Sequence, residues 1–196
     1  IDNQIAIVTV REVFVNNSTY PIAPRYYFPL PDGASATQLR WFWNGCWLEA
    51  NVTANSGGGS GVNELPVLYQ NYLGPHPLKF DFNTSMLPSD SLAVELTYVQ
   101  LLPYAYGNVD LLLRNNNAFL YAGQQMPTQS LNVSLHSART ITSFSLLSHT
   151  GAAINNTGHD ASLHYLATYQ PADTNYKVRY ALSSEELGLW SMSTMT

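Results

Sequence analysis

Hydrophobic positions in this chain recur mostly at every second residue. Leu78, Phe80 and Phe82 alternate with Lys79, Asp81 and Asn83, and Leu131, Val133 and Leu135 alternate with Asn132, Ser134 and His136. Tyr176, Val178, Tyr180 and Leu182 alternate with Lys177, Arg179, Ala181 and Ser183, and Leu92, Val94, Leu96 and Tyr98 form the apolar side of another run. Such a run buries one face and wets the other, which predicts a half-buried strand. Ile5–Val15 is apolar on both sides in its first half, so it is expected in the middle of a packed sheet. Further strands are expected near residues 26–30, 110–114, 140–147, 163–169 and 187–195.

Turn chemistry joins these runs. Asn44-Gly45 stands between Trp41-Phe42-Trp43 and Cys46-Trp47-Leu48, and this dipeptide tolerates the positive φ that a type I′ turn needs at both central positions. A tight hairpin is therefore predicted there. Pro31-Asp32-Gly33 is a second turn signal. Helical spacing is scarce. Its best instance is 62–73, where Leu65, Leu68, Tyr69 and Tyr72 share a side, Asn63 is a candidate cap and Gly74-Pro75 a stop. Ahead of it, residues 55–61 (NSGGGSG) have little to pack and high backbone entropy, so a flexible Gly/Ser loop is expected. The predicted fold class is all-β, an antiparallel β-sandwich with a short helix after that loop.

Composition narrows the function. Of 196 residues, 45% are hydrophobic and only 11% charged, so the surface is wetted mainly by neutral hydrogen-bonding groups. The net charge of −5, with eight scattered Lys and Arg, speaks against nucleic acid or an anionic membrane as partner. No apolar run approaches the roughly 18 residues of a transmembrane helix. The opening residues have no basic stretch or cleavage signal, and the chain reads as a soluble fragment beginning at a processed end. Cys46 is alone, so no internal disulfide forms, and it is expected to be a small buried hydrophobe. Asn-x-Ser/Thr sequons make Asn16, Asn17, Asn51, Asn83, Asn132 and Asn155 candidate glycosylation positions, which favours secretion.

Candidate chemistry is thin. His159, Asp160 and His164 lie near one another, but a strand turns His164 away from Leu163 and Tyr165, and His159 sits in a turn, so convergent metal ligation is not implied. The carboxylates of Asp32, Glu49, Asp81, Glu95, Glu185 and Glu186 are dispersed with no pairing signal for acid–base work. No catalytic residue, metal or cofactor is assigned. The strongest remaining signal is the aromatic hairpin: Trp41, Phe42, Trp43 and Trp47 place rings on both faces, and an exposed face would bind a partner side chain or stack on a sugar.

Residues 10–41 (VREVFVNNSTYPIAPRYYFPLPDGASATQLRW), with the strand ending Phe14-Val15-Asn16, the turn to Pro21-Ile22 and the Phe28-Pro29-Leu30-Pro31 run before Asp32-Gly33-Ala34, resemble the start of a VIT domain, the module named for vault proteins and inter-alpha-trypsin inhibitor heavy chains. Residues 91–102 (SLAVELTYVQLL) carry the likeness further. It covers about residues 1–125; 126–196 resembles the extra strands that often follow such a domain before a von Willebrand factor A domain and is expected to pack on the same domain. The middle segment departs from the family, having the Gly/Ser loop in place of a charged helix, and the A-type Asp-x-Ser-x-Ser metal motif is absent from the sequence. The resemblance implies a non-catalytic protein-interaction or structural module of a secreted or cell-surface, adhesin-like protein, presenting or bracing a neighbouring domain. The alternative is a lectin-like, glycan-binding sandwich that uses the aromatic hairpin.

Overall fold

The computed structural model describes residues 1–50, 65–117 and 123–184. The expected Gly/Ser loop, the cap at Asn63, the sequon at Asn51, Glu185, Glu186 and the strand at 187–195 lie outside the described residues. The described chain is all-β, with antiparallel sheets and one short helix. Its contacts divide it into two compact units: 5–101, and 1–4 together with 102–196.

In the unit 5–101, β1 (Ile5–Val15), β6 (Ser91–Leu101), β3 (Ser35–Trp43) and β4 (Cys46–Ala50) form an antiparallel sheet in that spatial order. The predicted alternation of β6 is realised: Leu92, Val94, Leu96 and Tyr98 are buried, with Leu39 of β3 beside them. The ribbon of β2 (Arg25–Phe28) and β5 (Leu78–Asp81) adds Tyr26 and Phe28, and Phe82 and Met86 complete the cluster. Fully burying each large side chain contributes about 1.5–3 kcal/mol, so this cluster is the main driving force for the unit. Pro29 and Pro31 follow β2, where missing N–H donors end the ladder. The turn at Pro31 forms, with the Ala34 amide donating to the Pro31 carbonyl at 3.0 Å.

Two expectations need correction. Among the described residues β1 lies at the edge of its sheet, with β6 central; the apolar side chains Ile5 and Ile7 are exposed rather than packed in a second layer. The helix, α1, spans Val67–Leu73; of the expected 62–73, the described Leu65 and Pro66 lie outside it, because proline is tolerated only at a helix start. Its end is as read: Gly74, at φ 74°, donates its amide to the Gln70 carbonyl.

In the other unit, β10 (Ile141–Leu146), β13 (Tyr176–Leu182), β8 (Asn108–Leu113) and β7 (Tyr104–Ala105) form one sheet, and β11 (Ala153–Asn156), β12 (Asp160–Pro171) and β9 (Gln125–His136) form the other. Inward residues alternate on both: Leu131, Val133, Leu135 and Leu163 on the three-stranded sheet, Val109, Leu111, Phe144, Val178 and Tyr180 on the four-stranded one. Tyr165 of β12 meets Tyr176 of β13 edge to face at 5.9 Å, and His149 packs on both rings. The first residues close this unit, with Asn3 donating its amide to the His136 carbonyl and its own carbonyl accepting the Tyr180 hydroxyl. Because β8 pairs with β13, residues 104–113 belong with the C-terminal strands, whereas the sequence reading divides the chain at 125/126.

Candidate interaction face

The hairpin β3–β4 forms as its turn chemistry dictates. Asn44 and Gly45 have φ of 49° and 80°, the left-handed pair of a type I′ turn. The two-residue turn fixes the register, so Trp43 faces Cys46, Phe42 faces Trp47 and Trp41 faces Leu48. Phe42 and Trp47 therefore share one side, and Trp41 and Trp43 the other.

The core claims one of these sides. Trp41 packs at 5.1 Å and 5.4 Å, centroid to centroid, against Phe80 and Phe82, and Trp43 packs on the edge of the same cluster. Phe42 and Trp47 point outward, 40% and 41% exposed, with ring centroids 5.5 Å apart. Of the four sequence-derived positions, then, Phe42 and Trp47 form an accessible platform, and Trp41 and Trp43 serve packing. The register made this pairing legible from Asn44-Gly45; which side faces out was not.

Charged neighbours hold the platform, two of them carboxylates read from the sequence as dispersed, Glu49 and Glu95, and two, Arg11 and Arg40, missing from that reading. Across the outer face, Arg11 of β1, Glu95 of β6, Arg40 of β3 and Glu49 of β4 lie in one cross-strand row. Arg40 donates from Nε to Glu95 at 2.7 Å, and Arg11 Nε lies 3.8 Å from the same carboxylate. The Arg40 guanidinium sits 4.7 Å from the Trp47 ring centroid, a cation–π distance, and Arg11 reaches to 6.0 Å. Glu95 is thus the anchor: it fixes Arg40, and Arg40 backs Trp47. The next row, Val13, Ala93, Phe42 and Trp47, is wholly apolar.

Beside Phe42, a shallow groove of about 320 Å³ is lined by Phe42, Trp43, Asn44, Ser89, Asp90 and Ser91. One Asp90 oxygen accepts the Leu87 amide at 2.8 Å. On the inner side of β1, Glu12 accepts a hydrogen bond from the Tyr26 hydroxyl at 2.8 Å, and burial pushes its carboxyl above the ordinary range. The same burial, then the Glu12 charge, raises Tyr26.

The other candidate positions are dispersed. His136 Nδ1 lies 2.8 Å from Asp160 Oδ1, His164 Nδ1 2.6 Å from Asn132 Oδ1, and His159 Nδ1 3.0 Å from the Ser137 carbonyl. Among the described residues these side chains do not form a group of three or more metal-binding donors. Cys46 is exposed, contrary to expectation, because it opens β4 directly after the turn and shares Trp43's rung at the end of the hairpin. Asn17, Asn83, Asn132 and Asn155 are exposed. Asn16 is only 2% exposed, with Nδ2 donating to the Tyr20 and Met86 carbonyls at 3.0 Å each, so this sequon is closed in the folded chain.

No family model and no curated protein matches the chain.

Proposed function

We propose that this chain is a non-catalytic, VIT-like interaction module of a secreted or cell-surface, adhesin-like protein, and that it braces a neighbouring domain or protein partner through the Phe42–Trp47 face. The observation that carries the reading is the outward aromatic pair, held by the Arg40–Glu95 ion pair and continued by Val13 and Ala93. Preformed aromatic anchors lose little side-chain entropy on binding, which is why Trp and Tyr dominate interface hot spots. The VIT likeness of residues 10–41 and 91–102 supports the same reading, as do the exposed sequons. Among the described residues no helix is long and apolar enough to cross a membrane. The cations of the outer faces are engaged, Arg11 and Arg40 with Glu95, Lys177 and Arg179 with Asp110, which disfavours a nucleic-acid partner.

One observation favours glycan binding as the second reading: the groove beside Phe42 places Asn44, Ser89, Asp90 and Ser91 next to an aromatic ring, a combination suited to sugar hydroxyls. A single substitution series separates the two. Trp47→Ala is expected to weaken binding to the domain that adjoins this chain in its gene by roughly 30-fold or more, the effect of losing a hot spot of about 2 kcal/mol. Asp90→Ala leaves that binding unchanged. Calorimetry with the adjoining domain, run beside a glycan array, is the measurement. Array binding abolished by Asp90→Ala, with the adjoining domain unbound, would replace the first reading by the second.

A further inference from the structure

We propose that β1 is a dimerisation edge, where two copies of this chain pair their β1 strands antiparallel about a two-fold axis at Val10. This goes beyond the function proposed above and uses the backbone rim of the sheet, which shares only Val13 with the Phe42–Trp47 face. Asn16 donates its amide to the Asp90 carbonyl at 2.9 Å, continuing a β1–β6 ladder that runs without a shift from Ile5 to Val15. In an antiparallel ladder, residues alternate between turning their backbone groups toward the neighbour and away from it. Position 16 turns toward β6, so Ile5, Ile7, Thr9, Arg11, Val13 and Val15 turn their N–H and C=O groups outward. No described residue pairs with them, and all six are exposed.

Sheet edges of this length are ordinarily blunted by proline, a bulge, lysine or a covering segment. The β9 edge shows such protection at its C-terminal end, where residues 1–3 lie along it, His136 donating to the Ile1 carbonyl and accepting from the Asn3 amide. β1 has neither proline nor bulge over eleven residues.

The side chains select the occupant. Read along the edge, Ile5, Ile7, Thr9, Arg11, Val13 and Val15 run apolar, apolar, polar, polar, apolar, apolar, a sequence that matches its own reverse. Pairing centred on Val10 sets Ile5 on Val15, Ile7 on Val13 and Thr9 on Arg11 of the second copy. Moving the axis to Thr9 places Ile7 on Arg11, and moving it to Arg11 opposes two arginines. Self-complementarity under reversal is the property an isologous two-fold interface requires, and a partner strand of unrelated sequence has no reason to require it. The two four-stranded sheets then join into one continuous sheet, each Arg11 remaining beside its own Glu95.

The test uses the whole chain in sedimentation equilibrium over a dilution series, with amide hydrogen exchange at each concentration. Expected are a reversible dimer and concentration-dependent protection at the odd residues from Ile5 to Val15, the even ones being protected at every concentration. The double variant Ile7→Lys/Val13→Lys, at positions 68% and 57% exposed, keeps the wild-type fold by circular dichroism. It sets lysine against lysine at two rungs, and the dimer weakens at least tenfold. Ile7→Glu/Val13→Glu behaves likewise, and mixing the two variants restores a dimer. A chain that stays monomeric, a dimer indifferent to the lysine pair, or lysine and glutamate variants that fail to recombine would each overturn the proposal. So would odd-position protection that appears only when a foreign peptide is added.

Discussion

Glu12 couples the ionisation of a side chain to the fold. It lies on the inward side of β1, where burial disfavours its charged form and only the Tyr26 hydroxyl compensates, Tyr72 being the other titrating group that acts on Tyr26. Its carboxyl therefore binds a proton more tightly folded than unfolded, and its stabilising contribution is greatest below the ordinary carboxylate pKa. That contribution is lost as the pH rises from there through the raised folded value. Asp110 has the opposite sign: the Arg179 hydrogen bonds hold its carboxyl low, so its contribution is lost on acidification. The difference between wild type and Glu12→Gln isolates the first effect, since glutamine keeps an acceptor for Tyr26 and carries no charge. Urea unfolding from acid to neutral pH is expected to show the variant gaining on wild type as the pH rises; parallel curves would refute the assignment. At Asn16, the amide committed to two carbonyls predicts a separate outcome. When the chain is secreted from a eukaryotic host, peptide mapping is expected to find glycans at Asn17, Asn83, Asn132 or Asn155 and none at Asn16 in the folded fraction. His136 was readable as a polar position of an alternating strand, but its pairing with Asp160, across the β9–β12 register, was not.

Among elements, the β3–β4 hairpin was the most legible, because a two-residue turn fixes its own register and the two glycine-tolerant positions are adjacent in sequence. A methyl group on Gly45 would project into open space, but the residue has a φ of 80°, so Gly45→Ala is expected to cost about 1–2 kcal/mol through backbone strain alone, without steric conflict. A lower urea midpoint, with faster exchange at Cys46–Ala50 and unchanged exchange in β9, is the readout. The β7–β8 hairpin was hidden for a related reason. Its turn is Tyr106-Gly107, at φ 51° and 79°, and a tyrosine in the left-handed region carries no turn signal of its own. The stripe of β1 misled in another way: apolar residues on both sides suggested a central strand, whereas its outer side is the exposed edge row Ile5, Ile7, Val13 and Val15.

At the scale of the molecule, residues 1–4 belong with 102–196, so the chain enters one unit, builds the other from 5–101 and returns. Asn3 is a point of closure in the first: at φ 52° its Oδ1 accepts the Ala138 amide at 2.9 Å, and its carbonyl accepts the Tyr180 hydroxyl. Asn3→Ala removes its side-chain hydrogen bonds to the Ala138 amide and to the exposed Asp2 carboxylate and places a less tolerant residue in the left-handed region, for a combined loss of about 1–3 kcal/mol. Exchange is expected to quicken in β9 and β13 and to stay unchanged in β6, because the two sets of strands draw on separate cores. What the sequence determined by itself was local: the strands with period-two alternation, the Asn44-Gly45 hairpin and the Gly74 helix stop, since each follows from side chains and backbone preferences within a few residues. Only tertiary structure decided that β1 pairs with β6 and lies at an edge, that Phe42 and Trp47 face out over Arg40 and Glu95, and that Glu12 faces in. These depend on partners some tens of residues away, and the competition among strands for neighbours is resolved by burial of the assembled core, to which no single segment holds the answer.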